Sequence, residues 1–367
     1  MKKILLSALL FSAAVVTTAQ LTTAPDGGNK KASVSERIGL TDITINYDRP
    51  GVKGREGKVW GQLVPFGFTD LGFGTSKAAP WRAGANENTT IQFSTDVKVE
   101  GKDVPAGKYA VFIAVGKEES TLIFSKNNTS WGSFFYDPTE DVLRVNIKQQ
   151  VMDKSTEWLT YSFINQTDNK ATIALTWEKW MFPFTIEVDV EKTQLASFRN
   201  ELKNNKGFQW QAWAEAAEYC ADHNINLEEA LKWADYGING VFIGEKNFRT
   251  LSAKARVLRQ LKRLPEADAL MTEALPLGKI NEVHGYARQV LAAGRTELAI
   301  QAFKENYKKF PNTFTTNMGM ARAMSAAGDA KESLKYAKIA FTQAPDAANK
   351  SAIQGIIEKL EKGELIK

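Results

Sequence analysis

The spacing of apolar residues changes near Glu191, and this change limits the possible folds more than any other feature of the 367-residue chain. Across residues 33–190 apolar residues recur at every second position, which is typical of β-strands with one buried face. Across residues 191–367 they recur with a period of about 3.6, which is typical of amphipathic helices. We therefore expect a β domain at 33–190 and a helical domain at 191–367.

The β region contains about nine short apolar stretches separated by turn-forming residues. Residues 100–103, 116–120 and 165–170 have the polar composition of hairpin turns. The stretch Tyr109–Val115 is apolar throughout, as expected of a strand that is buried on both faces. Short strands joined by tight turns predict an antiparallel β-sandwich or jelly roll. The apolar stretches are 43–47, 91–93, 97–99, 109–115, 121–125, 142–147, 159–163, 171–177 and 184–190.

The helical region contains a repeat of 34 residues, which is the spacing between Gly294 and Gly328 and between Pro311 and Pro345. Each glycine is placed to end one helix, and each proline follows the next helix. A helix–turn–helix unit of this length resembles the tetratricopeptide repeat. Such repeats usually form scaffolds that hold a peptide or another protein, so we expect a protein or peptide partner.

The repeat signature is incomplete. Ala299 and Phe303 occupy signature positions of one unit, whereas Ser333 and Ala337 stand where the next unit would have Ala and an aromatic residue. Looser units can be read around 230–237 and 266–274.

The N-terminus predicts export. Residues 1–20 have two lysines, an apolar run and small residues at the end, as in a cleaved signal peptide, and residues 21–32 read as a flexible leader. We expect the mature protein in the periplasm or outside the cell. No later apolar run is long enough to span a membrane. Cys220 stands alone on an apolar helix face, which predicts a buried, unreactive thiol.

The charge balance excludes nucleic acid as an expected partner, because 47 basic and 42 acidic residues are interspersed along the chain. Two histidines are too few for a His-rich metal site, so we expect no metal and no cofactor. Motifs of nucleotide binding and of nucleophilic catalysis are missing, which favours binding without catalysis.

The best candidate site is the segment between Tyr47 and Thr90, where the alternation breaks and Arg, Trp, Asn and Glu are concentrated. Arginines there could bind a carboxylate or phosphate, and tryptophans could stack on a sugar ring. This supports an alternative function as a glycan- or small-anion-binding, possibly hydrolytic, β domain. The candidate ligand-binding residues are Arg49, Arg55, Trp60, Trp81, Arg82, Asn86 and Glu87.

The same residues also allow a purely structural interpretation, in which they stabilise the fold and bind no ligand. Arg82 and Glu87 could pair with each other or with Asp48, and Asn86 could bond the backbone of a turn. Both tryptophans could belong to the core.

Three motifs resemble a secreted bacterial family known as domain of unknown function 2911. They are Arg49–Arg55 (RPGVKGR), Leu63–Gly67 (LVPFG) and Trp81–Glu87 (WRAGANE). Later pieces fit as well, namely 104–109, 131–132 and 141–145, so that the resemblance spans about residues 33–190. It implies an exported β domain that is often followed by helical repeats, and it implies no activity and no catalytic residues.

One departure from the family concerns residues 68–80, which separate the second motif from the third, whereas in the family these two follow each other almost directly. Phe68, Leu71 and Phe73 give this insertion an apolar character. It is either a lid over the Trp81–Glu87 motif or an exposed adhesive loop.

Overall fold

The computed structural model describes residues 28–366, so the predicted signal peptide and residues 21–27 of the predicted leader lie outside the described residues. The chain divides into two compact units between Thr193 and Gln194. Among the helices of the described region, none combines the length and the apolar composition that crossing a membrane requires.

The first unit contains two antiparallel sheets, as expected from the alternating pattern. Between residues 28 and 366 the strands are β1 (Lys30–Ile38), β2 (Thr41–Arg49), β3 (Thr90–Phe93), β4 (Val97–Val99), β5 (Lys102–Val104), β6 (Gly107–Ala114), β7 (Ser120–Ser125), β8 (Asp141–Ile147), β9 (Gln150–Ile164) and β10 (Lys170–Glu187). The larger sheet has the order β1–β2–β3–β6–β7–β8, and the smaller has the order β5–β4–β10–β9.

The inner faces of the two sheets bury a common core. Ile45 and Ile91 come from the larger sheet, Trp177 and Phe184 come from the smaller, and each is almost fully buried within one cluster. Because each sheet has one apolar face, packing the two faces together removes both from water. The antiparallel sandwich is therefore confirmed. Residues 109–115 are all buried, as predicted for this strand.

Two boundaries differ from the expectation. The leader predicted over 21–32 is too long, because Lys30–Ala32 pair with Tyr47–Arg49 as the start of β1. The stretches at 171–177 and 184–190 were expected to be separate strands, but most of this region is the single strand β10. A bulge at Glu178, which has a φ of 51°, shifts the register there. A bulge interrupts the apolar alternation without ending the strand.

Helices make up the second unit. Over residues 28–366 the α-helices are α1 (Val190–Glu201), α2 (Trp210–His223), α3 (Leu227–Asn239), α4 (Phe248–Gln260), α5 (Leu264–Ala274), α6 (Ile280–Ala292), α7 (Thr296–Lys309), α8 (Phe314–Ala326), α9 (Ala330–Thr342) and α10 (Ala347–Glu361), with 3₁₀ turns at Pro138–Glu140, Asn205–Phe208 and Leu275–Leu277. Consecutive helices pack as the pairs α2/α3, α4/α5, α6/α7 and α8/α9, and α10 packs against α9.

The 34-residue repeat has a structural counterpart at the ends of α6 and α8. Gly294 and Gly328 have φ values of 78° and 83°, which glycine adopts without strain. The residue after each glycine donates its N–H to a carbonyl in the preceding helix, so both helices end in the same Schellman turn. Helix pairs with this repeat confirm the predicted tetratricopeptide-like stack.

Ser333 shows how the degenerate unit is accommodated. Its side chain is fully buried in the place of the usual alanine, and its hydroxyl donates a hydrogen bond of 2.7 Å to the carbonyl of Ala321. A buried hydroxyl without a partner would be destabilising, and this bond removes that penalty. Cys220 is buried as predicted, and its burial raises the pKa of the thiol to about 11.

Candidate functional site

Arg49 and Arg55 are occupied by neighbouring parts of the fold. Arg49 donates from Nε to the carbonyl of Leu159 at 2.8 Å and from a terminal nitrogen to the hydroxyl of Thr160 at 2.7 Å. Arg55 donates to the carbonyls of Val52 and Gly51 at 2.9 and 2.7 Å. Both guanidinium groups thus hold backbone segments together.

Trp60 and Trp81 belong to an aromatic cluster at the edge of the core. Trp60 stacks on Trp180 with ring centroids 5.1 Å apart, and Trp81 stacks on Trp177 at 6.0 Å. The two rings contact each other edge to face at 5.5 Å. The indole nitrogen of Trp81 donates to the carbonyl of Gly84 at 3.2 Å, so its polar group is used within the motif. This arrangement packs the tryptophans rather than presenting their faces to a sugar.

Arg82 stabilises the turn that follows it. One terminal nitrogen donates to the carbonyl of Asn86 at 2.7 Å, and the guanidinium lies 5.3 Å from the ring centroid of Phe134. Burial lowers the pKa of this group. Gly132 approaches so closely that a Cβ there would overlap the guanidinium. Arg82 therefore bonds the backbone of the motif and does not pair with Glu87.

Glu87 and Asp48 form the centre of a second cluster. Lys31 donates to Glu87 Oε1 at 2.9 Å, and this hydrogen bond lowers the pKa of Glu87. Asp48 and Glu87 border the same groove. Burial, followed by the contact with Glu87, raises the pKa of Asp48. Asn86 acts in the opposite direction and lowers the pKa of Asp48, and the Oδ1 of Asn86 accepts a hydrogen bond from Asn29 at 3.1 Å.

A groove of about 700 Å³ opens beside these two acids on the outer face of the larger sheet. We call it the Asp48 groove. Of the seven candidate residues only Glu87 lines it. The residues that line it are Lys31, Ala32, Ser33, Asn46, Tyr47, Asp48, Glu87, Asn88, Thr90, Lys108, Asn128, Thr129 and Ser130.

Sequence reasoning missed most of this lining. Lys31 and Lys108 lie outside the segment chosen as the candidate site, and Asp48 entered only as a possible pairing partner. One signal was available, because Asn46 and Asp48 are polar at the outward positions of a strand whose inward positions are Ile43, Ile45 and Tyr47.

The insertion at 68–80 does not line the Asp48 groove. Its Phe73 contacts Phe134 and Phe135 with ring centroids 5.4 and 6.0 Å apart, yet it stays 63% exposed. The guanidinium of Arg144 lies over the ring of Phe68 at 5.4 Å. Of the two alternatives from the sequence, the geometry favours an exposed apolar loop.

The second unit has its own groove, of about 640 Å³, between α3, α4 and α5. We call it the α3–α5 groove. Leu231, Leu258 and Leu270 line its base, and Tyr236 lies at its rim. The loop after α3 borders it, because Lys246 in that loop pairs with Glu273 of the lining.

The loop after α3 carries two apolar side chains in water. Val241 is 70% exposed and Phe242 is fully exposed. Phe242 also has a φ of 67°, a left-handed conformation that is rare for a bulky residue. The sequence contains a signal for this loop, since an apolar triplet stands between Gly240 and Gly244 outside the helical pattern.

Clusters of three or more His, Cys, Asp or Glu side chains suited to a metal ion do not occur between residues 28 and 366. Besides its two acids, the Asp48 groove is lined by amide side chains and by no third acid.

Comparison with known proteins confirms the resemblance for the first unit. Residues 29–186 match the family described as "Protein of unknown function (DUF2911)". No curated protein matches the chain. Among solved structures, YrrB, "a TPR protein with an unusual peptide-binding site", is 17% identical with a TM-score of 0.29, and the match covers 45% of this chain and 86% of YrrB.

Proposed function

We propose that this is a binding protein whose helical unit holds an apolar segment of a partner protein. The observation that carries the proposal is Phe242, which is fully exposed and has a left-handed backbone conformation. Neither property stabilises the fold. The exposed ring forgoes the stabilisation of about 1.5–3 kcal/mol that burying a phenylalanine side chain gives, and the left-handed conformation costs about 1–2 kcal/mol. A side chain held in this way is free to contact another molecule.

The α3–α5 groove supports the same reading. Its volume lies in the range of ligand sites, and its leucines offer an apolar base next to the exposed loop. The helical unit therefore combines a recess with a projecting aromatic side chain, which is a common arrangement for anchoring a partner.

The charges around the groove indicate which partner chemistry is favoured. Lys254 pairs with Asp235 at 2.5 Å, and Arg263 pairs with Glu266 at 2.6 Å. Because these groups already neutralise one another, the groove presents little net charge. An apolar segment suits it better than a strongly acidic or basic one.

The experiment compares capture of partners by the wild-type protein and by Phe242→Asn after crosslinking in an extract of the source cells. Asparagine tolerates a positive φ, so this change removes the aromatic ring while keeping the loop folded. We expect at least a tenfold loss of one defined crosslinked species. The matched control is Leu365→Asn, which changes another exposed apolar residue of the helical unit, 54% exposed, and should leave capture unchanged. Equal capture by Phe242→Asn and the wild type would refute the proposal.

Export is part of the proposal and rests on the pattern of residues 1–20. N-terminal sequencing of the protein from its native cells is expected to begin at or near Gln20. Recovery of a chain that begins at Met1 would contradict export through this signal.

A further inference from the structure

The Asp48 groove contains neighbouring oxygen atoms from two strands. In the register of β2 and β3, Asn46 lies opposite Thr90. Asp48 and Asn88 are each two residues farther along the chain in the direction of this end of the sheet, and both line the groove. Glu87 lines the same groove.

Three oxygens in this cluster lack a hydrogen-bond donor in the described part of the chain. They are Asp48 Oδ1, Glu87 Oε2 and Asn88 Oδ1. Asp48 is only 5% exposed and Asn88 only 8%. The Asn88 amide is oriented by its nitrogen, which donates to the carbonyl of Asn127 at 3.2 Å, so the unpartnered atom is its oxygen. Buried acceptors without a donor are rare in folded proteins and call for a specific explanation.

Two carboxylates that line one groove repel each other unless a positive charge lies between them. A proton shared by Asp48 and Glu87 would satisfy their two oxygens. It would leave the oxygen of Asn88 without a partner. A metal cation accounts for all three atoms, because Ca²⁺ takes about 6–8 oxygen ligands from carboxylates, amide carbonyls and water.

We propose that Asp48, Glu87 and Asn88 form a binding site for Ca²⁺ at the end of the Asp48 groove. The groove gives the ion a path from solvent and room for the water molecules that complete its shell. This site lies in the first unit and is independent of the partner binding proposed for the second. Two carboxylates and one amide form a modest ligand set, so we expect a dissociation constant of about 0.1–1 mM, as in weak extracellular sites.

The charged groups around the site predict how affinity can be tuned. Lys31 donates to the outer oxygen of Glu87, and its side chain is 75% exposed. Lys108 faces the same groove from β6. Each ammonium group opposes a nearby cation, so removing Lys31 should strengthen Ca²⁺ binding.

Equilibrium dialysis of the full chain against CaCl₂ tests the proposal directly. The wild-type protein is expected to bind one Ca²⁺ per chain and to bind Mg²⁺ more weakly, since Mg²⁺ demands a stricter geometry and dehydrates reluctantly. Asp48→Asn and Glu87→Gln should each weaken Ca²⁺ binding at least tenfold while the circular dichroism spectrum stays unchanged. Lys31→Ala should strengthen it by a factor of about three or more.

The matched control is Asp42→Asn, on the same strand. Asp42 bonds Arg37 at 2.7 Å on the surface, and its loss should leave Ca²⁺ binding unchanged. If the wild-type protein binds no Ca²⁺, or if Asp48→Asn binds it as tightly as the wild type, the proposal is overturned. Weaker binding by Lys31→Ala would also count against it, because Lys31 would then support the site rather than oppose the ion.

Discussion

Replacing His284 by methionine is expected to remove a large part of the acid sensitivity of the helical unit. His284 lies on α6 with its ring centroid 5.5 Å from that of Phe303. Burial, followed by the positive charges of Arg322 and Arg288, lowers the pKa of His284 to about 4 from the ordinary value of 6.5. Its Nδ1 is buried and has no hydrogen-bond partner among residues 28–366. The folded protein therefore holds this imidazole in its neutral form.

The direction of the pH effect follows from this difference. In the unfolded chain His284 takes up a proton as the pH falls below 6.5, whereas in the folded chain it does so only near pH 4. Acid therefore stabilises the unfolded state, and stability is lost as the pH falls from 6.5 to about 4. The two pKa values correspond to about 2 kcal/mol at pH 5 relative to pH 7. Because the ring is partly exposed, we expect roughly 1–2 kcal/mol.

Methionine is the appropriate replacement because the chain itself uses it at this position of the next repeat. Met318 lies 34 residues after His284 and is 7% exposed on α8. Urea unfolding at pH 7 and pH 5, followed by the helical circular dichroism signal, gives the free energy of unfolding for both proteins. The wild type should lose about 1–2 kcal/mol more than His284→Met on acidification. Equal losses would refute the argument that His284 is held neutral by the fold.

Three further predictions concern both units. Gly294→Ala and Gly328→Ala should each reduce the free energy of unfolding by about 1–2 kcal/mol, because both residues have a positive φ that strains alanine. The cost should be this backbone strain alone, since the added Cβ meets no atom within 4 Å at either position. Unequal losses in urea unfolding would contradict the equivalence of the two residues in the repeat. Cys220 should resist alkylation at pH 8 in the folded protein and react after unfolding, since burial raises the pKa of its thiol to about 11; rapid labelling of the folded protein, detected by mass spectrometry, would contradict this. Phe182→Ala should destabilise the β unit by about 3–5 kcal/mol in thermal or urea unfolding, because this ring is fully buried between the sheets. A loss of less than about 1 kcal/mol, which is the size of one hydrogen bond, would argue against its place in the core.

The type of each element was largely predictable. The turn at Glu100 and Gly101 was read from composition, and both residues have positive φ in a tight hairpin between β4 and β5. Strand β1 was not identified, because it pairs along one edge only and has few apolar residues. The bulge at Glu178 also escaped detection, since a local shift of register resembles a turn in the sequence.

The candidate site was predictable only in part. The seven residues chosen from the segment between Tyr47 and Thr90 do not converge on one surface, since only Glu87 lines the Asp48 groove. Arg49 bonds a carbonyl that lies 110 positions away in the sequence, and Lys31 bonds Glu87 across 56 positions. Composition contains no information about which of these long-range partners a side chain will reach.

The sequence by itself determined where strands give way to helices, because the spacing of apolar residues must match the period of the element that buries them. It also determined the equivalent helix ends at Gly294 and Gly328, because only a residue without a Cβ adopts that backbone conformation without strain. Only the tertiary structure decided which polar groups meet. Asp48 lies on β2 and Glu87 lies just before β3, and both line one groove because the pairing of these strands brings the two segments together. The register of that pairing depends on the packing of the whole sheet.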